Sequence, residues 1–345
     1  MTADLALPHR FDTVEAVEDF MTEPTPALVA DLAATPGDIM ILGVGGKMGP
    51  TLARLAKRAA PDRRVIGVAR FSEEGVRESL QAHGIETIAC DLLDRAAIAG
   101  LPRAPNIVFM AGRKFGASGN EPLTWAMNVM VPGFIAETFT SSRIVAFSTG
   151  CVYPFVDLAS GGATEDVPPV PPPGDYANSC VGRERMFQYF SGLHRTPGRI
   201  VRLNYAIDMR YGVLHDIARK VRDGEPIDLA MGHVNVIWQG DANTVALRCL
   251  AHATTPTTPI NVTGPETPGV RWLAGEFGRL MGRKPKLTGH EAATGWLNNA
   301  ARMMAELGPP RATLSMMIEW TADWLLRDMP TFDKPTHYEV RDGRY

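Results

Sequence analysis

One stretch limits what this chain can fold into more than any other. Residues 39–50 read Ile-Met-Ile-Leu-Gly-Val-Gly-Gly-Lys-Met-Gly-Pro. Four apolar residues in a row fit a strand buried on both faces, the glycines fit a turn, and Pro50 followed by Leu52, Leu55, Ala56 and Ala59 fits a helix. Strand, glycine turn and helix in that order present bare backbone N–H groups at the positive end of a helix, where a Cβ would hold a pyrophosphate away. Gly43, Gly46 and Gly49 stand three apart, and with Lys47 and Met48 between them they are the expected contacts to a dinucleotide cofactor. A plain tight turn is the competing reading of the same glycines.

Further apolar runs near 65–69, 88–92, 106–110 and 143–147 alternate with helical patterns, which predicts an α/β fold built on a doubly wound parallel Rossmann sheet. The end of the second strand is where such folds choose their coenzyme. Ala69 leaves room there, while Arg70 and Ser72 offer charge and hydrogen bonds to a 2′-phosphate, so NADP is expected ahead of NAD. A solvated strand-end arginine is the alternative. Asp91, with Leu92, closes the third strand and either takes a hydrogen bond from an adenine amine or caps the next helix. Ala111 and Gly112 after the fourth strand are small enough to let backbone approach a cofactor, and Lys114 follows them.

A long helix is expected over 122–139, carrying Asn128, and the fifth strand runs into Ser148-Thr149-Gly150-Cys151-Val152-Tyr153. The prolines of 164–173 read as a rigid loop leading into a helix that holds Tyr176, Cys180 and Glu184 on one face. Before the first strand, residues 1–37 form an N-terminal extension with Phe11, Val14, Val17, Phe20 and Met21 at the spacing of one short amphipathic helix, expected to pack on the domain, with a dimer contact or a lid as the alternatives.

The totals exclude several classes. With 35 Lys+Arg against 38 Asp+Glu the net charge is −3, which lacks the concentrated positive field of a nucleic-acid groove or an anionic-membrane binder. No apolar run reaches spanning length, and the first residues lack a secretory pattern. Cys90, Cys151, Cys180 and Cys249 are scattered without metal or disulfide spacing, which fits a reducing cytoplasm, and the eight histidines show no ligand pattern either.

Taken in order, these motifs resemble the extended short-chain dehydrogenase/reductases, also called NAD-dependent epimerase/dehydratases, over about 38–324. The turn at Gly43, Gly46 and Gly49 is similar to the family's GxxGxxG, and Ser148-Thr149 before Val152-Tyr153 to its Ser-Ser/Thr-x-x-Val-Tyr. Tyr176 and Glu184 match Tyr-x-x-x-Lys-x-x-x-Glu, Arg202-Leu203-Asn204-Tyr205 a shortened Arg-x-x-Asn-x-Tyr, and 236–241 the strand-to-helix aspartate segment. The likeness implies Tyr176 as the proton carrier, Thr149 as a second hydroxyl on the same substrate oxygen, and Asn128 and Asn204 as orienting groups. It implies a smaller, discontinuous substrate domain from 206–234 and 264–345, set against a sheet domain of 38–205 and 235–263. It also implies a small-molecule substrate and a homodimer paired through the helices near Pro122 and Tyr176, with Met127, Met130, Met186 and Phe187 as apolar contacts or core residues.

The sequence departs from the family at three places. Cys180 stands where the family has the lysine that lowers the tyrosine pKa; Lys114 or the oxidised nicotinamide supplies that charge, Cys180 itself takes part as acid or thiolate, or hydride chemistry is lost. Gly150 and Cys151 replace the dehydratases' Asp-Glu, which argues against sugar dehydration by that route. Val234 sits where many relatives carry a diphosphate-clamping arginine, leaving Arg210 or Arg271 as substitutes. The expected activity is NAD(P)-dependent oxidoreduction at a hydroxyl or ketone carbon of a sugar or related polyhydroxy or keto compound. Nucleotide-sugar epimerisation and a non-catalytic cofactor-binding regulator are the alternatives.

Overall fold

The computed structural model describes residues 7–114, 119–332 and 334–342. Its central sheet has seven strands: β1 Ile39–Leu42, β2 Val65–Ala69, β3 Glu86–Ala89, β4 Asn106–Phe109, β5 Arg143–Thr149, β6 Gly198–Leu203 and β7 Thr258–Val262. All neighbours are parallel and the spatial order is β3-β2-β1-β4-β5-β6-β7. The chain thus winds outward from β1, returns, and builds the other half from β4, a doubly wound Rossmann arrangement whose switch point lies between β1 and β4. Every residue of β1, β2 and β4 is buried, so, apart from Asn106 at the start of β4, their sequences are continuous runs without polar residues instead of alternating ones.

The edge strand is different. β3 is largely accessible and ends at Ala89, so Cys90, Asp91 and Leu92 form the turn after it instead of extending it. Asp94, not Asp91, caps the following helix Arg95–Ala99 by accepting from the Ala96 and Ala97 amides. β5 runs two residues further than its apolar core, because Ser148 and Thr149 still pair with Arg202 and Leu203. The helix expected over 122–139 is interrupted: Glu121–Trp125 is α-helical, Ala126–Met130 makes one π turn, and Val131–Thr138 resumes the α-helix. A π turn re-aims side chains within a helix, and here it carries the fully buried Asn128.

Two helices, not one, precede the sheet: Val14–Met21, capped by Thr13, and Pro26–Ala34, capped by Thr25 with proline at its start. The first is bound into a core formed by residues 207–338. Phe11 and Phe20 lie 5.1 and 5.7 Å from the Trp320 ring, and Phe20 lies 6.1 Å from Trp238. The second buries Leu28 and Leu32 against the sheet layer. Arg54 in helix Gly49–Ala59 ties the first to the sheet through Glu18 and Asp19.

Helix Gln239–Arg248 brings a buried carboxylate, Asp241, whose Oδ2 accepts from the Ala312 amide at 3.0 Å. Burial pushes its pKa from 3.8 to about 6, against the pull of the Ala312 and Arg311 amides and the Arg311 charge. Across that interval the folded chain holds a proton that the unfolded chain has released, so stability falls as pH rises from about 4 to about 6. Asp241→Asn should erase about 2 to 3 kcal/mol of this pH dependence in denaturant melts taken across the window. Equal slopes in parent and variant would contradict it.

Candidate active site

The carboxyl ends of β1, β2, β4, β5 and β6 open onto two adjoining cavities of about 240 and 290 Å³, which share Gly43, Gly46 and Met110 as walls. The first is bounded by Ala69, Arg70, Ser72, Asp91, Leu92, Ala111 and Gly112. The second is bounded by Lys47, Met48, Gly49, Lys114, Thr149, Tyr176 and Asn204. Nearly every residue singled out in the sequence therefore faces one groove at the switch point.

The glycines between the cavities do different work. Gly43 has φ +91°, and a Cβ there would meet the Ala111 amide at 2.6 Å, so it is held by β4. A Cβ on Gly49 would lie 2.1 Å from the Val44 carbonyl oxygen, so that glycine seats the helix against the turn. Gly46 is exposed, and its nearest neighbour to an added Cβ is the Gly43 carbonyl oxygen at 3.6 Å. What its bare backbone spares is room for a ligand. Helix Gly49–Ala59 starts there with no side-chain cap and no acidic residue in its first turn, so its leading amides and the positive end of its dipole face the groove. These features fit a dinucleotide whose pyrophosphate lies across Gly46.

At the other end Tyr176 and Thr149 share the wall of the second cavity, the phenol within electrostatic reach of the hydroxyl. Thr149 is placed by the last pairing of β5, and its Oγ1 accepts from the Cys151 amide at 3.2 Å. Tyr176 stands in the first turn of helix Asp175–His194. Burial raises its pKa well above 10, and the Cys180 and Cys151 thiols add to that, while Arg183 and Thr149 pull it down. The phenol is thus protonated at neutral pH and is set up first as a proton donor.

Two lysines reach the same cavity. The Lys114 ammonium lies 5.8 Å from the Tyr176 ring centre, and burial lowers its pKa. Lys47 rises from the glycine turn to lie 3.5 Å over the Tyr211 ring. Its surroundings bring its pKa down to about 8: desolvation leads, Asp208 and Asp216 oppose it, and Arg210 and Lys114 add to it.

Some expected roles move. Asn128 does not line the groove. It is fully buried, exchanges hydrogen bonds with the backbone N–H and C=O of Arg113 at 2.9 Å each, and donates to Ser179 Oγ at 2.9 Å. It pins the loop that carries Lys114 and is not a substrate contact. Asn204 reaches the cavity wall, but its amide nitrogen is engaged by the Trp296 carbonyl at 3.1 Å and Asn298 Oδ1 at 3.3 Å. Cys180 lines neither cavity. It is fully buried, and burial pushes its thiol up to about 11, so it is no thiolate at neutral pH. Neither substitute arginine serves the groove: Arg210 is buried on Asp208 and Glu18, and Arg271 pairs with Glu291 at the surface.

The sequence reading left out Tyr205, Tyr211 and Thr336 as walls of the second cavity, and Arg183 behind it. Arg183 Nη1 donates to the Phe147 carbonyl at 2.8 Å and Nη2 to Asn128 Oδ1 at 2.6 Å. Arg183 carried a legible signal, being a cation one turn beyond Cys180 on the same helix face. Thr336 comes from far along the chain, held by its amide and hydroxyl to Asp216 Oδ2 at 2.8 and 2.6 Å, and no local pattern announces that.

With a switch-point groove, a glycine turn and a Tyr–Thr pair, this is a Rossmann-type enzyme of the short-chain dehydrogenase/reductase class. The model of the NAD dependent epimerase/dehydratase family matches residues 39–234, more than half of the chain, and the chain belongs to that family. No curated protein matches it. Among solved structures, it is similar to UDP-glucose 4-epimerase of Thermotoga maritima solved with UDP-glucose (15% identity, TM-score 0.69, 84% of this chain and 99% of that one). It is also similar to dTDP-glucose 4,6-dehydratase of Bacillus anthracis in complex with NAD (15% identity, TM-score 0.72, 85% and 97%). A third is UDP-glucuronic acid 4-epimerase of Bacillus cereus in complex with NAD (16% identity, TM-score 0.70, 84% and 99%). At these identities the likeness speaks for the fold. No helix among the described residues is long and apolar enough to cross a membrane, and no cluster of three metal-ligating side chains occurs among them.

Proposed function

We propose that this protein catalyses reversible hydride transfer between a nicotinamide dinucleotide and the hydroxyl-bearing carbon of a sugar or related polyhydroxy or keto compound. The observation that carries the reading is that Tyr176 and Thr149 stand together on the wall of the cavity adjoining the glycine cradle. The nicotinamide, when bound, supplies the hydride acceptor or donor. Tyr176 exchanges the proton of the substrate hydroxyl, and Thr149 hydrogen-bonds the same oxygen and fixes its position. Gly43, Gly46, Lys47, Met48 and Gly49 hold the pyrophosphate, Asp91, Leu92, Ala111 and Gly112 the adenosine side, and Lys114 the nicotinamide ribose. Residues 206–234 and 264–342 supply the substrate side.

Epimerisation of a nucleotide sugar is the second reading, favoured by the fold neighbours and reached if the ketone stays bound and is reduced from its other face. The engagement of Arg210 and Arg271 elsewhere favours a substrate without a diphosphate to clamp. A regulator without chemistry has less support, because both the phenol and the alcohol are present on one cavity wall. Quenching or enhancement of reduced-coenzyme fluorescence tests binding, and a screen of polyols, sugars and ketones for coenzyme absorbance change tests turnover. Binding of neither coenzyme would end this reading.

For the coenzyme we favour NADP, because Arg70 and Ser72 line the first cavity beside Ala69; Glu73 on the same wall pulls toward NAD. Arg70→Ala should cut the NADP-over-NAD affinity ratio about tenfold, measured by titration of each coenzyme. An unchanged ratio would leave Arg70 as a solvated charge. Four buried free cysteines support a cytoplasmic location. An apolar groove of about 530 Å³, with Trp125 and Met130 exposed at 40% and 43%, supports a homodimer across helices 121–138 and Asp175–His194. Met130 and Met186 line it, whereas Phe187 packs on Phe109 at 5.3 Å and Met127 faces the first cavity.

A further inference from the structure

The missing lysine leaves the phenol without the cation that its relatives place one turn away, and Cys180, buried and uncharged, does not replace it. Another cation stands on the same helix face, three residues beyond Cys180 and seven beyond Tyr176. We propose that Arg183 is the positioning residue that performs the lysine's electrostatic task, stabilising the Tyr176 phenolate from behind the groove by its fixed, buried positive charge. This rests on the reading of Tyr176 as the proton carrier.

The surroundings of Arg183 set it apart from a structural arginine. It is 6% exposed, and among the described residues no carboxylate lies within salt-bridge distance of it. Its hydrogen bonds go to neutral acceptors, the Phe147 carbonyl and Asn128 Oδ1, and its Nε has no partner. The adjacent carboxylate, Glu184, is fully used by Arg202 and Ser148. An unpaired buried guanidinium is costly to keep, and a neutral side chain could bridge the same two acceptors. What it adds is charge in a low-dielectric place, where Coulomb attraction to an anion is strong and salt screens it little.

Its aim also fits. A Cβ on Gly112 would lie 2.3 Å from Nη2, so the guanidinium sits directly beneath the backbone that walls the dinucleotide cavity. The groups facing the phenol are Cys180 and Arg183 from its own helix, Thr149 at the end of β5 and Cys151 in the turn after it, and Lys114 from the loop after β4; Asp216 acts on Lys114, and Lys114 in turn on Lys47. Of the charges that act on Tyr176, Arg183 is the foremost lowering one, and it also opposes the rise at Cys180. Lys114 lies over the ring face and loses charge more readily because burial lowers its pKa, whereas a guanidinium keeps its proton throughout.

The test is a titration of Tyr176 by NMR on full-length protein labelled with carbon-13 at the tyrosine Cζ, the signal being assigned with Tyr176→Phe. Arg183→Gln should raise the Tyr176 pKa by at least about one unit, a tenfold loss of phenolate at fixed pH, and Arg183→Lys should recover most of it. Cys180→Lys should lower the pKa strongly in the Arg183→Gln background and by less than about half a unit in the parent, because the charge is already supplied there. A parent-like titration in Arg183→Gln overturns the proposal, as does a Cys180→Lys shift as large in the parent as in the Arg183→Gln background. If Arg183→Gln does not fold, the parent with Cys180→Lys decides alone, and a shift beyond about one unit counts against Arg183. Coenzyme fluorescence on the same samples separates the two ideas: lack of binding defeats the functional reading, while the tyrosine titration still judges Arg183.

Discussion

Tyr176→Phe lowers turnover by about 10² to 10⁴-fold and leaves coenzyme affinity within about twofold, measured by coenzyme absorbance under saturating substrate and by fluorescence titration. The size follows from what the hydroxyl does. Hydride departure from a carbinol carbon needs its hydroxyl proton removed in the same step, and hydride addition to a ketone needs one delivered. Tyr176 is the titratable group beside Thr149 on the wall of this cavity, and the loss of one oxygen removes the proton path without emptying space or freeing charge. Because burial holds the phenol well above its ordinary pKa, oxidation should accelerate as pH rises, while reduction should hold across neutral pH. Thr149→Ala should cost less, since it positions the oxygen but carries no proton away. If Tyr176→Phe keeps more than about a tenth of the parent rate, another group carries the proton.

How far this site could be read from sequence depends on how local its causes are. The glycine turn, the buried runs of β1, β2 and β4, and the Tyr176 helix follow from periodicity and backbone geometry within a few residues, and the structure has them where those patterns point. Failures came where a tertiary contact overrode the local pattern. The helix over 122–139 breaks because a π turn turns Asn128 inward to the Arg113 backbone, a demand made by a loop fifteen residues away. The second N-terminal helix was hidden because its apolar face answers to the sheet layer, with Leu28 and Leu32 buried there. Thr336 reaches the cavity only because Asp216, 120 residues earlier, holds it. Cys180 was visible as an anomaly, but burial of its thiol and the nearness of Arg183 are facts of packing.

Arg202→Met destabilises the fold by about 3 to 5 kcal/mol and lowers turnover with it, because both carboxylate and guanidinium belong to a strut between the helix that bears Tyr176 and the strand that ends in Thr149. Glu184, on the Tyr176 helix, is 1% exposed and Arg202, on β6, is 2% exposed. Arg202 Nε and Nη2 meet the carboxylate at 3.0 and 2.7 Å, and Nη1 donates to the Tyr153 hydroxyl at 2.7 Å. Ser148 Oγ donates to Glu184 at 2.7 Å, and the Tyr153 hydroxyl donates to Asn261 Oδ1 on β7 at 2.8 Å. One network thus links the helix that bears Tyr176 to the strand that ends in Thr149. Removing one partner strands a buried charge, whereas removing both leaves only a packing defect. The double change Glu184→Gln with Arg202→Met should therefore cost less than the sum of the single ones by at least about 1 kcal/mol, read from denaturant unfolding. Strictly additive losses would mean that the two groups are stabilised by separate surroundings, and the spacing of Tyr176 from Thr149 would then have to be set by backbone packing alone.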